Sequence, residues 1–224
     1  MTFSIAARCA KTGMFGIAVS SSSPAVAARC AYARARVGAA GSQNITDPTL
    51  GPKLLDLMEL GATAAEAVRI VAGSAKHIAY RQLVAVDADG RTGAFSGEKT
   101  LGIHTAVETE GAVAAGNMLK TKVVPERMIS AFSNASGGLG CRLLAAMRAG
   151  VDAGGEEGPV HSAGLLLVRD VPWPVANLRI DWSDADPIAD LARLWEIYEP
   201  QLEAYITRAL DPTAAPSFGV PGDE

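Results

Sequence analysis

Apolar residues recur along this chain in two rhythms. From Thr2 to Arg8 the stretch TFSIAAR puts Phe3 and Ile5 on one face and Thr2 and Ser4 on the other, the weak alternation of a strand. AKTG, bending at Thr12-Gly13, turns the chain into a second apolar run over residues 14–20. Residues 36–43, RVGAAGSQ, predict a third strand, glycine-rich and so close to another backbone. The clearest hairpin is RQLVAVDADGRTGAFSG, in which Asp89-Gly90 separates two runs of strand length. Further strands are predicted over residues 111–115, 163–168 and 178–182.

The helical rhythm alternates with these runs. Pro52 suits the first position of a helix over residues 53–60, which Gly61 stops. Thr63-Ala-Ala-Glu66 has the form of a capping box, predicting a helix from 64 to about 72. Two more helices are predicted at 124–132 and 139–148. A last one, from 187 to about 210, carries Leu191, Leu194, Trp195, Ile197, Tyr198, Leu202 and Tyr205 at helical spacing. GVDAGGEEGP, residues 150–159, predicts a glycine-rich loop with Glu156 and Glu157 in solvent, and residues 211–224 a loose tail. Helices come in pairs between groups of strands, which disfavours a simple alternating parallel fold. The pattern predicts an α+β domain over residues 1–210, with two antiparallel sheets and helices outside them.

Composition narrows the function. At 224 residues the chain is long enough for one well-buried domain, and 49% apolar with 20% charged residues is an ordinary globular balance. A net charge of −4 and a pI near 5.5 argue against a nucleic-acid partner. The 3 cysteines, Cys9, Cys30 and Cys141, form no C-x-x-C pair, which favours a reducing compartment over structural disulfides. No apolar run approaches the roughly 18–20 residues that span a bilayer. Arg8, Lys11, MFGIAVSSSS and the Ala25-Val26-Ala27 triplet imitate a secretory leader. Its apolar part is short, however, and SIAARC before it reads as a strand, so the chain is predicted to be cytoplasmic. The wealth of small residues predicts tightly stacked layers and a homo-oligomer.

Most familiar catalytic motifs are missing. GAFSG lacks the glycine spacing of a nucleophile elbow before Ser96, and GGLGCR lacks the Lys-Ser/Thr of a phosphate loop. His77, His104 and His161 stand singly, without metal-ligand spacing, so neither metal nor organic cofactor is predicted. The serine run at 20–23 has a plain alternative as a strand end whose hydroxyls satisfy backbone groups.

One constellation carries chemistry. A strand starting at Thr2, a short turn and a second strand ending in hydroxyls suit a nucleophile whose own α-amine is the base. An α-amine with a pKa of roughly 7.7–8.0 is partly neutral near physiological pH. The amine is free only once Met1 is removed, which the small Thr2 permits, and the strand must hold the nucleophile still.

The chain as a whole resembles the family of domain of unknown function 1028 (DUF1028), regarded as N-terminal-nucleophile hydrolases. The resemblance rests on MTFSIAAR with TGMFGIAVSSS, GSQNITDPTLGPKLLDLMELG, RQLVAVDADGRTGAFSG, AAGNML, HSAGLLLVRD and LRIDWSDADPIADLARL, in that order over residues 2–195. It implies a four-layer αββα sandwich with the site at one end of the facing sheets. Thr2 is then the nucleophile and base, Ser20 and Ser21 lie beside it, and Asn117 donates its amide to the oxyanion. Gln43, Ser96 and Ser162 are weaker pocket candidates, joined by Ser22. The chain departs from the family pattern after the strand-end serine: Ser22-Ser23-Pro24 stand where an arginine followed by aromatics is common, and Arg34 is a possible substitute. The expected activity is cleavage of a C–N amide bond in a small molecule or short peptide. The alternatives are a small-molecule binding protein that retains Met1, and a hydrolase with Ser21 or Ser96 as an internal nucleophile.

Overall fold

The computed structural model describes residues 1–222. Ten strands form two sheets, and every strand pair is antiparallel. The six-stranded sheet contains β1 (Thr2–Arg8), β2 (Phe15–Ser21), β7 (Thr105–Thr109), β8 (Ala112–Asn117), β9 (Ser162–Val168) and β10 (Ala176–Ile180), in the order β10-β9-β2-β1-β8-β7. The four-stranded sheet runs β3 (Ala31–Arg34), β4 (Gly38–Asn44), β5 (Arg81–Asp87), β6 (Thr92–Ser96). Between β2 and β3 lies the short helix α1 (Ala27–Cys30).

The sheets face one another across a thin layer of mostly small side chains: Ala6, Ile17, Ala39, Val84, Val86, Val113 and Ala115. Their size explains the chain's wealth of alanine, since only small residues let two sheets approach this closely. On the outer face of the six-stranded sheet, Phe3, Ile5 and Leu165 pack with Met128 of α4 (Val124–Asn134), Leu143 and Met147 of α5 (Leu139–Asp152) and Leu191 of α6 (Pro187–Tyr198). On the other sheet, Leu83 and Ala85 pack with Leu50 and Leu54 of α2 (Leu50–Glu59) and Val68 of α3 (Ala64–Ser74). The two antiparallel sheets with helices on them are thus as the sequence predicts.

Local signals explain several boundaries. The Thr63–Glu66 capping box is formed in both directions. Gly90, at φ +85°, takes the left-handed position of the β5–β6 turn. At the same end, the buried Asp87 carboxylate accepts the N–H groups of Ala64, Asp89 and Arg91, each at 3.0 Å, and the Arg91 Nε at 2.9 Å. Burial pushes this carboxyl up, but the bonds from Ala64, Arg91 and Asp89 outweigh it and hold Asp87 below the usual range.

Other elements depart from the sequence pattern. β3 and β7 were not predicted; both are half-buried edge strands, short or polar, whose character comes from their neighbours. β4 starts at Gly38 rather than Arg36, which has φ +65°. α2 starts at Leu50, two residues before Pro52, still within the first turn where the missing N–H is harmless. The C-terminal helix is not continuous: after α6 a 3₁₀ turn at Glu199–Gln201 precedes α7 (Leu202–Leu210), because Pro200 lacks the N–H that would continue the ladder. Beyond α7, Arg208 bonds the Pro216 carbonyl at 2.8 Å and lies 3.6 Å over the Phe218 ring. Residues 223–224 of the predicted tail lie outside the described residues. Among the described residues no helix is long and apolar enough to cross a membrane.

Candidate active site

Strand register places the predicted residues at one end of the two sheets. Thr2 pairs with Asn117, Phe3 with Ser20, and Ser21 with Ser162. On the facing sheet Gln43 pairs with Gln82, and Gln82 with Ser96. Thr2 begins a strand with sheet neighbours on both sides and is 4% exposed; Ser20, Ser21, Asn117 and Ser162 are fully buried. This is the opposite end of β1 from the Asp87 turn, which meets the chain through bonds from Arg8 to Gly111 and from Gly111 to Gly90.

The hydroxyls converge on one carbonyl. Thr2 Oγ1 and Ser21 Oγ both donate to the Met1 carbonyl oxygen, and they lie 3.5 Å from each other. Ser21 Oγ is also 2.8 Å from Ser23 Oγ and accepts the Ser23 N–H at 3.1 Å. With Met1 attached, the Thr2 nitrogen is an amide. Arg29 completes this end, donating through Nη2 to Ser23 Oγ and through Nη1 to the Pro24 carbonyl, both at 2.6 Å. Arg34, the substitute suggested by sequence, is elsewhere: it pairs with Asp56 at 2.8 Å and Glu59 at 2.6 Å on the surface of α2. The basic group on the serine segment is Arg29, one helical turn away and therefore within reach of that loop.

Behind Thr2 a buried amide network joins the sheets. Ser4 Oγ donates to Gln43 Oε1 at 2.7 Å, and Gln43 Nε2 donates to Gln82 Oε1 at 2.8 Å. Asn117 Nδ2 donates to the same Gln82 oxygen at 3.2 Å, while Gln82 Nε2 donates to Ser96 Oγ at 3.0 Å. Among the described residues this is the one bond that Asn117 Nδ2 donates, and Asn117 Oδ1 is buried without a partner. Gln82 was not singled out from the sequence; its alternation with Leu83 on a strand entering the hairpin is the only local signal. Ser20 Oγ donates to the Ser162 carbonyl at 2.9 Å, and Ser162 Oγ to the Ser23 carbonyl at 2.6 Å. His161 reaches Ser21 only through its main-chain N–H, at 2.9 Å; its ring bonds the Ser183 carbonyl and stacks on Trp182 at 4.2 Å.

The expectation that Glu156 is a solvated loop residue is overturned. Glu156 is 4% exposed, and both its oxygens accept the single N–H of Ser22, at 3.0 and 3.2 Å. It is drawn in because the loop after α5 makes a bridge between Glu156 and Leu119, just beyond Asn117. Burial pushes its pKa up to about 7, against the pull of the Met1 α-ammonium and the Ser22 bond. A neighbouring cavity of about 260 Å³ is lined by Val151, Gly155, Glu156, Gly158, Val160 and Asp186. Glu157, by contrast, is exposed as expected.

A family model described as a family of unknown function, DUF1028, matches residues 2–191. The chain belongs to the DUF1028 family. A crystal structure of protein SPO2555 from Silicibacter pomeroyi, a DUF1028 protein, aligns at 31% identity with a TM-score of 0.82, covering 88% of this chain and 85% of that one. Anbu (ancestral beta-subunit) from Yersinia bercovieri aligns at 11% identity and a TM-score of 0.39, over 91% of this chain and 97% of that one. An Anbu (Gly-1) mutant from Hyphomicrobium sp. strain MC1 gives 11% and 0.44, over 92% and 99%. Likenesses at this level say nothing about what the DUF1028 chain does. No curated protein matches it in sequence.

Proposed function

We propose that this chain is an N-terminal-nucleophile amidohydrolase on a four-layer αββα fold, with Thr2 as the nucleophile after loss of Met1. The observation that carries it is the seat of a carbonyl oxygen against both the Thr2 and Ser21 hydroxyls, at the buried start of a central strand. A nucleophile held beside a carbonyl is the arrangement that proximity catalysis requires.

In such a site the free α-amine takes the Thr2 Oγ1 proton as the oxygen attacks an amide carbonyl. The tetrahedral oxyanion is met by the Ser21 hydroxyl and the Asn117 amide. The ammonium returns its proton to the leaving nitrogen, an amine departs, and water releases the acid from the threonyl ester by the same proton transfers. Gln43, Gln82 and Ser96 hold Asn117 in place, while Ser20, Ser22 and Ser162 shape the strand ends around Thr2. The substrate is a small molecule or short peptide. A cytoplasmic homo-oligomer fits this role.

Replacing Thr2 by alanine, with unchanged fold by circular dichroism, should abolish hydrolysis of amides by the processed chain. Retained turnover would remove Thr2 from the mechanism. The rival function is a small-molecule binding protein on the same fold that retains Met1, in which the peptide bond from Met1 keeps the Thr2 nitrogen an amide. Intact mass of the native protein separates the two, since a chain retaining Met1 throughout has no free amine at Thr2.

A further inference from the structure

A chain of hydrogen bonds runs from a cation to the carbonyl seat beside Thr2. Ser21 Oγ donates its one proton to the Met1 carbonyl oxygen, which can only accept. At its 2.8 Å contact with Ser23 Oγ, Ser21 is therefore the acceptor and the Ser23 hydroxyl the donor. Ser23 Oγ in turn accepts Arg29 Nη2 at 2.6 Å, so all three bonds point the same way, from guanidinium to carbonyl. The Ser23 N–H, at 3.1 Å, brings a second donor to the same Ser21 oxygen. Arg29 is half-buried, and the Pro24 and Ala25 carbonyls fix its Nη1 at 2.6 and 3.1 Å. Among the described residues no carboxylate pairs with it, so its charge is not neutralised there. Holding the loop occupies Nη1 alone, whereas Nη2 goes to a hydroxyl that itself serves Ser21.

We infer that Arg29 and Ser23 are positioning residues that make Ser21 a charge-assisted donor to the oxyanion formed on a substrate carbonyl at Thr2. This rests on the hydrolase assignment above. Each hydroxyl in the chain is polarised by the donor behind it, so the Ser21 proton is offered more strongly than that of a lone serine. A neutral carbonyl gains little from this and an oxyanion much, which lowers a barrier rather than tightening the binding of the ground state. Arg29 acts without touching the substrate, and its bonds are in place before the reaction, so nothing has to reorganise as charge develops. The same arrangement occupies both lone pairs of the Ser21 oxygen with Ser23 donors, which suits a hydrogen-bond donor and not an internal nucleophile.

Two measurements on the full-length chain test this. The first needs no activity: a double-mutant cycle of Arg29→Gln and Ser21→Ala, read by denaturant unfolding of the chain that retains Met1. The combined effect on the unfolding constant should depart about threefold from the product of the single effects, and the departure should vanish in a Ser23→Ala background. Multiplicative effects overturn the relay. The second uses the chain processed to Thr2, as verified by intact mass, with butylboronic acid as the probe and butyramide as its neutral counterpart. Trigonal boron takes up Thr2 Oγ1, the α-amine takes the proton, and the anionic tetrahedral boronate is seen by boron NMR. R29Q should bind the boronic acid about tenfold more weakly than wild type, R29K should recover most of that loss, and affinity for butyramide should stay unchanged. S23A, which leaves Arg29 on the loop carbonyls, should lose as much boronate affinity as R29Q. Full boronate affinity in S23A, or equal losses for both probes, makes Arg29 a loop staple only; either overturns the inference and leaves the hydrolase assignment standing. A processed wild-type chain that forms no boronate overturns the hydrolase assignment and the oxyanion role with it.

Discussion

Two acids are buried at opposite ends of β1, and the fold treats them in opposite ways. Asp87 receives three main-chain N–H groups and a guanidinium, and its carboxyl is held below the ordinary range. Glu156 receives one N–H shared between two oxygens, and its carboxyl is pushed up to about 7. A fully supplied charge is part of the architecture. An undersupplied one leaves room for something else to bind, and in this molecule it stands at the end where the hydroxyls gather.

The strongest way to break the contrast is Asp87→Asn. It presents an amide to donors that need an acceptor and should cost about 4 kcal/mol of stability, read by denaturant unfolding, without altering the hydroxyl contacts at Thr2. Glu156→Gln tests the other end through pH. Below the ordinary value of 4.5 Glu156 is neutral in both folded and unfolded chains; between 4.5 and about 7 only the unfolded chain loses its proton, so stability falls as pH rises. E156Q has no such slope, and at pH 8 it should gain about 3 kcal/mol on wild type relative to their difference at pH 4. Asp87 works in the other direction, its contribution being lost as acid titrates its lowered carboxyl. Ser162→Ala should cost about 1–2 kcal/mol, because the Val26 N–H loses its acceptor and the Ser23 carbonyl its donor. Thr63→Ala, which removes one side of the capping box, should cost about 1 kcal/mol. Its effect should be non-additive with Asp87→Asn, since both act on the first turn of α3.

The two ends also differ in how far they could be read from the sequence. Asp89-Gly90 and Thr63–Glu66 are local signals whose physics is complete within a few residues, and both hold in the fold. Thr2 and the Ser20-Ser21 pair were legible as ends of strands, whereas Asn117 lay two residues beyond the predicted run at 111–115, and its pairing with Thr2 comes from β8 lying beside β1. Glu156 was not legible, because Glu-Glu in a glycine-rich segment is polar in every local respect. Its burial arises from a bridge to Leu119 and a bond to Ser22, partners 37 and 134 residues away in the chain. Arg29 and Arg34 show the same limit: both lie near the serine run in sequence, and only the α1 turn decides which one faces it. Gln82 was hidden by the hairpin that contains it, where a polar residue at a strand start needs no further explanation.

The central position of β1 has a consequence in time. Its sheet partners come from residues 15–21 and 112–117, and the carboxylate beside the site from residue 156. The β1–β2 pairing is a local hairpin, whereas the β8 pairing and the approach of Glu156 join segments far apart in the chain and close late, after the local hairpins and helices have formed. A chain cut short before the loop at 150–159 has Thr2 between its sheet partners but without Glu156 beside them. Folding to completion is therefore what assembles the full surroundings of Thr2, and a fragment lacking residue 156 does not reproduce them.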